Sequence, residues 1–372
     1  MSNTFKLHIV SFDVPFPPNY GGVIDVYYKC KHLHQLGIEI ELHCFEYGRA
    51  KAIELERYCS KVHYYRRKRY INPFISSVPY IVKSRIHKQL IANLAKDNHP
   101  ILLEGLHTSY PLVDERIDNS RCFVRTHNIE HEYYKRLESV ERSIFKRRFF
   151  RIESAKLAAY EIILKDAAGV LAISQFDQAH FAKINPNTIA ASAFHESEVV
   201  DVLPGKGDYV LYHGNLGVGE NNHAAEYLVN EVFSNVNAKC IIAGNNASEH
   251  LRKLCAENDV QLSENISSKE IIGLIQNAQV NVLPTFQKTG IKLKLLNALF
   301  KGRHCLVNSP MVEDTGLEGL CYIADNAENM IHQINELMEI ELLTNEIERR
   351  VASLTPFENR TNALIVKAAI FQ

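Results

Sequence analysis

The feature of this sequence that most restricts its fold is an alternation of short apolar segments with segments of helical spacing. In the first half of the chain, the strand-like segments are 6–12, 38–45, 61–65, 101–106, 122–126 and 169–174. The pattern then begins again, with strand-like segments at 208–212, 240–243, 280–283 and 304–308. Strands that alternate with helices predict a parallel sheet covered by helices on both faces. The restart predicts two such sheets.

The length of the chain agrees with two domains. Its 372 residues exceed the usual size of one domain. Pro204, Gly205 and Gly207 lie where the pattern restarts and are typical of a linker. We therefore predict an α/β protein of two Rossmann-like domains facing across a cleft. The domains are expected at 1–198 and 199–355, followed by a C-terminal helix at 356–372 that packs back on the first domain.

The composition excludes several classes of protein. With 46% hydrophobic and 23% charged residues, the chain is neither disordered nor fibrous. No apolar run approaches the ~18–20 residues that cross a bilayer, and the first apolar segment indicates a strand rather than a signal peptide. We expect a cytoplasmic protein.

The eight cysteines are scattered without a C-x-x-C pair, which predicts reduced core residues and neither disulfides nor metal ligands.

Positive charge is concentrated in the first part of the chain. Residues 1–200 contain 28 Lys and Arg against 22 Asp and Glu, whereas the remainder contains 14 against 21. Basic and aromatic residues interleave at 64–70 and 145–151. Such segments suit an anionic membrane surface, which we take as a candidate partner. A solvated helix face and RNA binding are the alternatives, although we expect no nucleic acid as a partner.

Two glycine-rich segments follow predicted strands, where open parallel sheets bind their ligands. Gly21 and Gly22 follow the first strand and precede a helix. Gly214 and Asn215 lie at the same point of the second half. Glycines there let backbone N–H groups approach a phosphate, and a plain connecting turn is an equal alternative. Neither a P-loop ending nor a G-x-G-x-x-G spacing is present, so a nicotinamide cofactor is not expected.

A third segment combines a glycine with two lysines. Gly290 opens a predicted helix whose first turns carry Lys292 and Lys294. Helix amides, the helix dipole and ammonium groups together form an anion site, while solvated lysines on an amphipathic helix are the alternative. His127 ends a strand of the first half and could bond a sugar hydroxyl, unless its role is structural. His107 is a weaker second candidate.

Four segments in order resemble one known family, the GT-B glycosyltransferases of family 4, especially bacterial members that build capsular or other surface polysaccharides. They are the Pro-Pro-x-x-Gly-Gly loop, RTHNIEHEYYKRL, YHGNLGVGENNHAAEYL and TGIKLKLLNALFKGRHCLVN. The resemblance covers nearly the whole chain. It implies an enzyme that transfers a hexose-type sugar from a nucleotide-diphosphate sugar, with retention of anomeric configuration.

The resemblance also implies partners and site residues. The C-terminal domain would hold the nucleotide, and the N-terminal domain would hold a glycan or polyprenyl-linked acceptor at the inner face of the cell membrane. No metal and no other cofactor is expected. The implied roles are diphosphate contact for Gly21 and Gly22, donor-sugar contact for His127, nucleotide contact for Gly214 and Asn215, and neutralisation of the leaving phosphates by Gly290, Lys292 and Lys294.

The sequence departs from the family at two donor positions. Many members have two glutamates eight residues apart, where this chain has Thr289 and Asn297. An amide bonds a ribose less strongly than a carboxylate does. Two alternatives therefore stay open: a catalytically degenerate glycosyltransferase-like scaffold, and a nucleotide-sugar epimerase on the same fold.

Overall fold

The computed structural model describes residues 5–69, 72–73, 75–141, 143–286 and 293–371. The chain divides into two compact units. Unit 1 comprises Met1–Phe194 and Asn359–Gln372, and unit 2 comprises His195–Glu358.

Unit 1 is built on a parallel sheet. Among its described residues, the seven strands are β1 (Phe5–Ser11), β2 (Ile38–Glu46), β3 (Lys61–Arg66), β4 (Ile101–Glu104), β5 (Cys122–Thr126), β6 (Gly169–Ala172) and β7 (Thr188–Ala190). Their order in the sheet is β3-β2-β1-β4-β5-β6-β7. The central strands β4 and β6 are buried along their whole length. Burial on both faces explains why they appear in the sequence as apolar runs, with Glu104 at the end of β4 as the exception.

Unit 2 repeats this plan. Its described strands are β8 (Tyr209–His213), β9 (Lys239–Gly244), β10 (Gln261–Glu264), β11 (Val280–Leu283), β12 (His304–Val307) and β13 (Tyr322–Ile323). They are all parallel and lie in the order β10-β9-β8-β11-β12-β13. Both sheets thus share the doubly wound order, in which the direction of winding reverses beside the first strand. The prediction of two Rossmann-like α/β domains is confirmed.

Helices connect the strands and cover the sheets. In unit 1 they are α1 (Gly21–Gln35), α2 (Tyr80–Lys83), α3 (Lys88–Leu94), α4 (Glu130–Val140), α5 (Ile144–Tyr160), α6 (Gln175–Phe181) and, near the C-terminus, α14 (Asn359–Ile370). In unit 2 they are α7 (Gly219–Tyr227), α8 (Glu249–Glu257), α9 (Ser268–Asn277), α10 (Leu293–Lys301), α11 (Ser309–Val312), α12 (Ala327–Glu339) and α13 (Thr344–Leu354).

The C-terminal helix α14 belongs to the core of unit 1. Ala363 and Val366 are fully buried in the apolar layer that also contains residues of β1 and α1. Lys367 donates a hydrogen bond to the carbonyl of Leu36 at 3.1 Å. The last helix of the chain therefore completes the layer on one face of the first sheet.

Helical spacing in the sequence predicts one helix over 80–94 and a long charged helix over 139–166, and the structure divides both. The segment 80–94 was predicted as one helix, but α2 ends at Lys83 and α3 begins at Lys88. The break places Arg85 in the core, where it donates to the carbonyls of Phe12 and Ile81. The segment 139–166 was likewise predicted as one helix, and it contains the end of α4, then α5 and a final 3₁₀ turn.

The cysteines lie among apolar side chains. Seven of the eight are buried, and Cys321 is partly exposed. Burial raises the pKa of the Cys240 thiol to about 12, so it remains protonated at neutral pH.

Candidate functional site

The strand order fixes where each sheet can bind a ligand. In a doubly wound sheet, ligands bind at the carboxyl ends of the strands, where the winding reverses. That point lies between β1 and β4 in unit 1 and between β8 and β11 in unit 2. The loops that follow these four strands therefore define the candidate sites.

In unit 2, the loop after β8 lies very close to the loop after β9. A Cβ atom on Gly244 would come within 1.9 Å of the carbonyl oxygen of Gly214, so a side chain at Gly244 cannot be accommodated without movement of the backbone. The N–H of Gly214 donates to the carbonyl of Ala243 at 3.1 Å. Two backbone segments thus meet at the carboxyl edge of the sheet, and only glycine fits at position 244.

Asparagine side chains stabilise the same loop. Asn215 accepts a hydrogen bond on its side-chain oxygen from the N–H of Gly217 at 3.1 Å. The amide of Asn221, in the first turn of α7, donates to the carbonyl of Asn215 at 3.0 Å. The predicted residues Gly214 and Asn215 therefore lie in an ordered turn that leads directly into a helix N-terminus.

Lys294 reaches this loop from α10. Its ammonium donates to Oδ1 of Asn221 at 3.0 Å and lies 5.2 Å from the centre of the Tyr212 ring. Burial, and then the positive charge of Lys294, lower the pKa of His213 to about 3. The structure thus brings together the second and third segments identified in the sequence. Three other predicted residues of the third segment, Thr289, Gly290 and Lys292, lie outside the described residues.

Asn297 is one helical turn beyond Lys294. Its side-chain oxygen accepts a hydrogen bond from the Ser197 hydroxyl at 3.3 Å, and the side chain is partly buried. Residues three apart on a helix lie on neighbouring positions of one face. Asn297 therefore lies near Lys294, and its side-chain amide is hydrogen-bonded to Ser197.

Two residues that the sequence did not single out complete the edge of unit 2. Thr285, just after β11, is hydrogen-bonded to Glu220 at the start of α7. Asn308 accepts from the N–H of Thr285 at 2.9 Å and donates to its carbonyl at 2.7 Å. These bonds tie the ends of β11 and β12 to the helix of the glycine loop.

In unit 1, the predicted glycines have different surroundings. A Cβ atom on Gly22 would come 2.5 Å from the Phe12 ring, whereas nothing lies within 4 Å of one on Gly21. Glycine is therefore needed at position 22 because a side chain there would collide with the Phe12 ring. Asp13 fixes the loop, because it accepts from the N–H of Val14 and, at 2.9 Å, from the Tyr20 hydroxyl.

His127 is held by a carboxylate. Its Nε2 lies 2.9 Å from Oε2 of Glu104 and 3.9 Å from Oδ2 of Asp25. The His127 side chain is 13% exposed, and Glu104 is fully buried at the end of β4. Since Nε2 is engaged, Nδ1 is the ring nitrogen that remains for a ligand.

Two cations balance the buried carboxylates beside His127. Lys29 of α1 lies 2.7 Å from Asp25 and 2.8 Å from Glu104. Arg125 of β5 donates to Asp25 at 3.0 Å and also to the carbonyls of Ala191 and Ser192. Burial alone would raise the pKa of Asp25, but Arg125 and Lys29 outweigh it and hold this pKa below its usual range. The sequence signal was the pair of charges four residues apart on the buried face of α1.

His107, the weaker candidate, lies on the other side of Phe12. The ring centres of His107 and His127 are 5.3 Å and 5.5 Å from that of Phe12. Burial and then the nearby Arg85 hold the pKa of His107 well below its usual value. Its Nδ1 lies 3.8 Å from Glu130, whose own pKa is raised to about 8, chiefly by burial.

A cationic cavity of about 550 Å³ lies beyond the carboxyl ends of β2 and β3. Its lining residues are Glu46, Gly48, Arg49, Arg66, Arg67 and Arg69. The Arg67 guanidinium stacks on the Tyr47 ring at 4.0 Å. Part of the aromatic and basic segment at 64–70 thus forms the wall of a cavity, which the sequence alone did not predict.

Comparison with known proteins establishes the fold. No family model matches the sequence. A relative from Klebsiella pneumoniae, described as a 44.6 kDa protein in a cps region, is 28% identical over 337 residues, which cover 84% of each chain.

Among solved structures, a glycosyltransferase from Rickettsia africae ESF-5 superposes with a TM-score of 0.61 at 14% identity and covers 100% of both chains. TarM gives 0.68 at 9% identity over 100% of this chain and 99% of its own. HepE from Anabaena, solved with UDP and glucose, gives 0.58 at 12% identity over 99% and 96%. The chain therefore has the fold of the GT-B glycosyltransferases, as predicted.

Within the described part of the chain, no helix combines the length and the apolar character needed to cross a membrane.

Proposed function

We propose that this chain is a retaining glycosyltransferase that moves a hexose-type sugar from a nucleotide-diphosphate sugar to a glycan or lipid-linked glycan. The observation that carries the proposal is the position of Lys294 in unit 2. Its ammonium lies against Asn221, beside the loop where Gly214 and Gly244 meet. A cation beside the N-terminus of a helix that follows a glycine loop forms a site for a diphosphate.

The chemistry of transfer needs such a site. The bond from the anomeric carbon to the diphosphate oxygen breaks, a bond from that carbon to the acceptor hydroxyl oxygen forms, and the hydroxyl proton passes to the departing diphosphate. Negative charge develops on the departing phosphate oxygen as its bond breaks. One well-placed donor in a site without water lowers such a barrier by about 3–4 kcal/mol. Lys294 and the amides of the glycine loop would supply this stabilisation without a metal ion. The family resemblance adds Gly290 and Lys292 to the same role.

His127 is proposed to contact the donor sugar. Glu104 fixes its tautomer and ring orientation through the 2.9 Å contact to Nε2. The Nδ1 atom is then the group that reaches a sugar hydroxyl. Retention of configuration and the hexose class rest on the resemblance to the family.

The acceptor is proposed to bear an anionic group, as a polyprenyl-diphosphate-linked glycan does. The arginines of the cavity beside β2 and β3 support this choice, because guanidinium groups bind phosphate in bidentate geometry. The relative from a cps region supports a role in building polysaccharide. We place the reaction in the cytoplasm, at the inner face of the cell membrane.

The donor is tested first by binding. A thermal-shift screen of UDP, GDP, CDP, dTDP and ADP, each with its common hexose derivatives, should show one base that raises the unfolding temperature. Incubation with the matching nucleotide sugar and a lipid-linked acceptor should then release the diphosphate. NMR of the product would show whether the anomeric configuration is retained. If no nucleotide binds at millimolar concentration, the proposal fails.

A second candidate function has one observation in its favour. Asn297 stands where many family members have a glutamate, and its oxygen already accepts from Ser197. A nucleotide-binding protein that has lost transfer activity would have such a site. Tight nucleotide binding without turnover, measured with several acceptors, would favour this scaffold over the enzyme.

A further inference from the structure

A cluster of imidazole and carboxylate side chains lies on one face of the unit 1 sheet, before the carboxyl ends of the strands. His8 of β1 is the register partner of Glu41 of β2, and His43 of β2 is the partner of His63 of β3. Glu41 and His43 are two residues apart, so their side chains point to the same face. Four groups that can bind a metal therefore share one patch in three neighbouring strands.

The distances within this cluster are short. Nδ1 of His8 lies 3.0 Å from Nε2 of His43, and Oε1 of Glu41 lies 4.0 Å from the same nitrogen. The same Glu41 oxygen lies 2.6 Å from Nε2 of His63 and 3.9 Å from the ammonium of the exposed Lys61. One ligand atom each from His8, Glu41 and His43 lies within 4.8 Å of the others. His8 and His43 are 2% and 0% exposed, whereas the Glu41 side chain is 29% exposed.

The outward nitrogens of both rings already have partners. Nε2 of His8 lies 3.0 Å from Asp97, and Nδ1 of His43 lies 2.8 Å from the Tyr65 hydroxyl. Histidines that bind a metal usually donate their second N–H to such a carboxylate or oxygen. When both rings donate outward, Nδ1 of His8 and Nε2 of His43 direct lone pairs at the same point.

In the absence of an ion, the facing nitrogens of His8 and His43 can share only one proton.

We propose that His8, His43 and Glu41 form a binding site for a divalent transition-metal ion, best suited to Zn²⁺. Tetrahedral coordination with Zn–N distances of ~2.0–2.1 Å separates two ligand nitrogens by about 3.3 Å. The two nitrogens need to part by a few tenths of an ångström from their 3.0 Å separation, and the rings need to turn so that both lone pairs point at the ion. Imidazole ligands favour zinc and its neighbours over magnesium or calcium.

An opening to solvent adjoins the proposed site. A cavity of about 80 Å³ is lined by His8 and Glu41, together with Lys6, Glu39, Asp97 and His99. It provides an entry path and room for a water molecule as the fourth ligand. The ion would tie β1 to β2 and so stabilise unit 1. It lies apart from the loops that we assign to sugar transfer.

Two other groups in the described residues have metal-binding side chains but different surroundings. In one, Asp25 and Glu104 bind the ammonium of Lys29, which is fully buried and repels a metal ion without screening by solvent, whereas Lys61 beside Glu41 is exposed. In the other, His131 and His180 both bind the same carboxylate, that of Glu161. The second group offers a matched control, because its histidines are partly exposed and can be replaced without disturbing the sheet.

The test uses the full chain without a histidine tag, dialysed against EDTA and titrated with CoCl₂. Tetrahedral Co²⁺ with histidine ligands gives visible d–d absorption, and Zn²⁺ should displace it. We expect one equivalent to bind and Zn²⁺ to raise the unfolding temperature. Glu41→Gln and His8→Asn should each weaken binding at least tenfold, while His131→Gln should leave the absorption unchanged.

Other results would overturn the proposal. They are the absence of d–d absorption at millimolar Co²⁺, absorption that survives Glu41→Gln and His8→Asn, and absorption that disappears in His131→Gln. If His8→Asn does not fold, Glu41→Gln decides alone, since Glu41 is partly exposed. Circular dichroism of each variant without metal identifies the folded ones.

Discussion

At the point where the winding reverses, the two units present different chemistry. In unit 1, charged side chains are packed against one another, and His127 contacts Glu104 within a buried group that also contains Lys29 and Arg125. In unit 2, the edge contains backbone at Gly214 and Gly244, the amides of Asn215 and Asn221, the ammonium of Lys294 and the carboxylate of Glu220. The strand order is the same in both sheets.

The difference indicates which ligand each edge can accept. The charges in unit 1 neutralise one another, so they fix a histidine rather than attract an anion. The edge of unit 2 combines the Lys294 ammonium with the N-terminus of α7, where an anion is stabilised. We therefore propose that unit 2 binds the nucleotide diphosphate and that unit 1 contacts sugar hydroxyls.

The largest expected effect concerns the buried charges of unit 1. Arg125→Ala removes one of the cations that pair with Asp25. It also removes the hydrogen-bond donor to the backbone carbonyls of Ala191 and Ser192. Breaking a buried ion pair costs about 3–5 kcal/mol. Urea unfolding followed by hydrogen exchange in peptides of unit 1 would measure this loss.

The control for Arg125 is an exposed ion pair in unit 2. Arg252 donates two hydrogen bonds to Glu264 on the surface. Arg252→Ala should change the free energy of unfolding very little, because solvent screens such pairs. Equal losses in the two variants would contradict the distinction between buried and exposed charge.

The second prediction concerns the stability of each unit, which should change with pH in opposite directions. His213 in unit 2 has a pKa lowered to about 3, so its stabilisation is complete above pH 6.5 and is lost as the pH falls. Glu130 in unit 1 has a pKa raised to about 8, so its contribution is complete below pH 4.5 and is lost as the pH rises. Each effect amounts to roughly 2–3 kcal/mol over two pH units.

Variants without the titrating group isolate each effect. His213→Gln should flatten the stability of unit 2 between pH 4.5 and 6.5, and Glu130→Gln should flatten that of unit 1 between pH 5 and 7. Hydrogen exchange across this range, read from peptides of each unit, would show both. An unchanged pH dependence in either variant would mean that the group titrates normally.

The third prediction concerns the close backbone approach in unit 2. In Gly244→Ala, the new Cβ would meet the carbonyl oxygen of Gly214, so the two loops must separate. Such overpacking costs about 1–3 kcal/mol, and the displaced amides should bind a nucleotide poorly. Calorimetric titration with the nucleotide found in the screen measures the loss.

Gly219→Ala is the matched control for that substitution. Gly219 begins the helix that follows the same loop, and nothing lies within 4 Å of a Cβ atom there. Nucleotide affinity should stay within about twofold, since the change adds a methyl group in open space. Equal losses in both variants would show that the approach of Gly244 to Gly214 is not what shapes the site.

The sequence predicted the architecture because periodic burial is a local signal. The apolar residues of β4 and β6 lie next to one another in the sequence and could be recognised without the fold. The strands β7, β10 and β13 were missed, since they are short and lie toward the sheet edges, where the pattern is weak. Helix continuity across 80–94 was also wrong, because the burial of Arg85 depends on partners far along the chain.

The candidate site could be predicted only in part. The positions of His127 and Lys294 after strands or at a helix start are visible in the sequence. Their partners are not, because Asp25 and Arg125 are 100 residues apart and meet only in the sheet. The role of Gly22 likewise depends on the Phe12 ring, which the sequence alone does not place against it.

The fourth prediction tests the cation of unit 2. Lys294→Ala should reduce turnover more than roughly tenfold, about 1.4 kcal/mol of barrier, while the fold survives. Lys301→Ala on the same helix removes a cation that pairs with Asp201 and should leave turnover unchanged. An unaltered rate in Lys294→Ala would remove this residue from the mechanism.

The smallest expected effect is at Asn297. If its amide bonds the nucleotide, Asn297→Ala should remove one neutral hydrogen bond, worth about 0.5–1.5 kcal/mol, and weaken nucleotide binding roughly two- to tenfold. Ser197→Ala removes only the internal partner of Asn297 and should not weaken binding. Calorimetric titration of both variants gives the comparison. If Asn297→Ala binds the nucleotide as tightly as the unchanged protein does, the Asn297 amide bonds only Ser197 and does not contact the nucleotide.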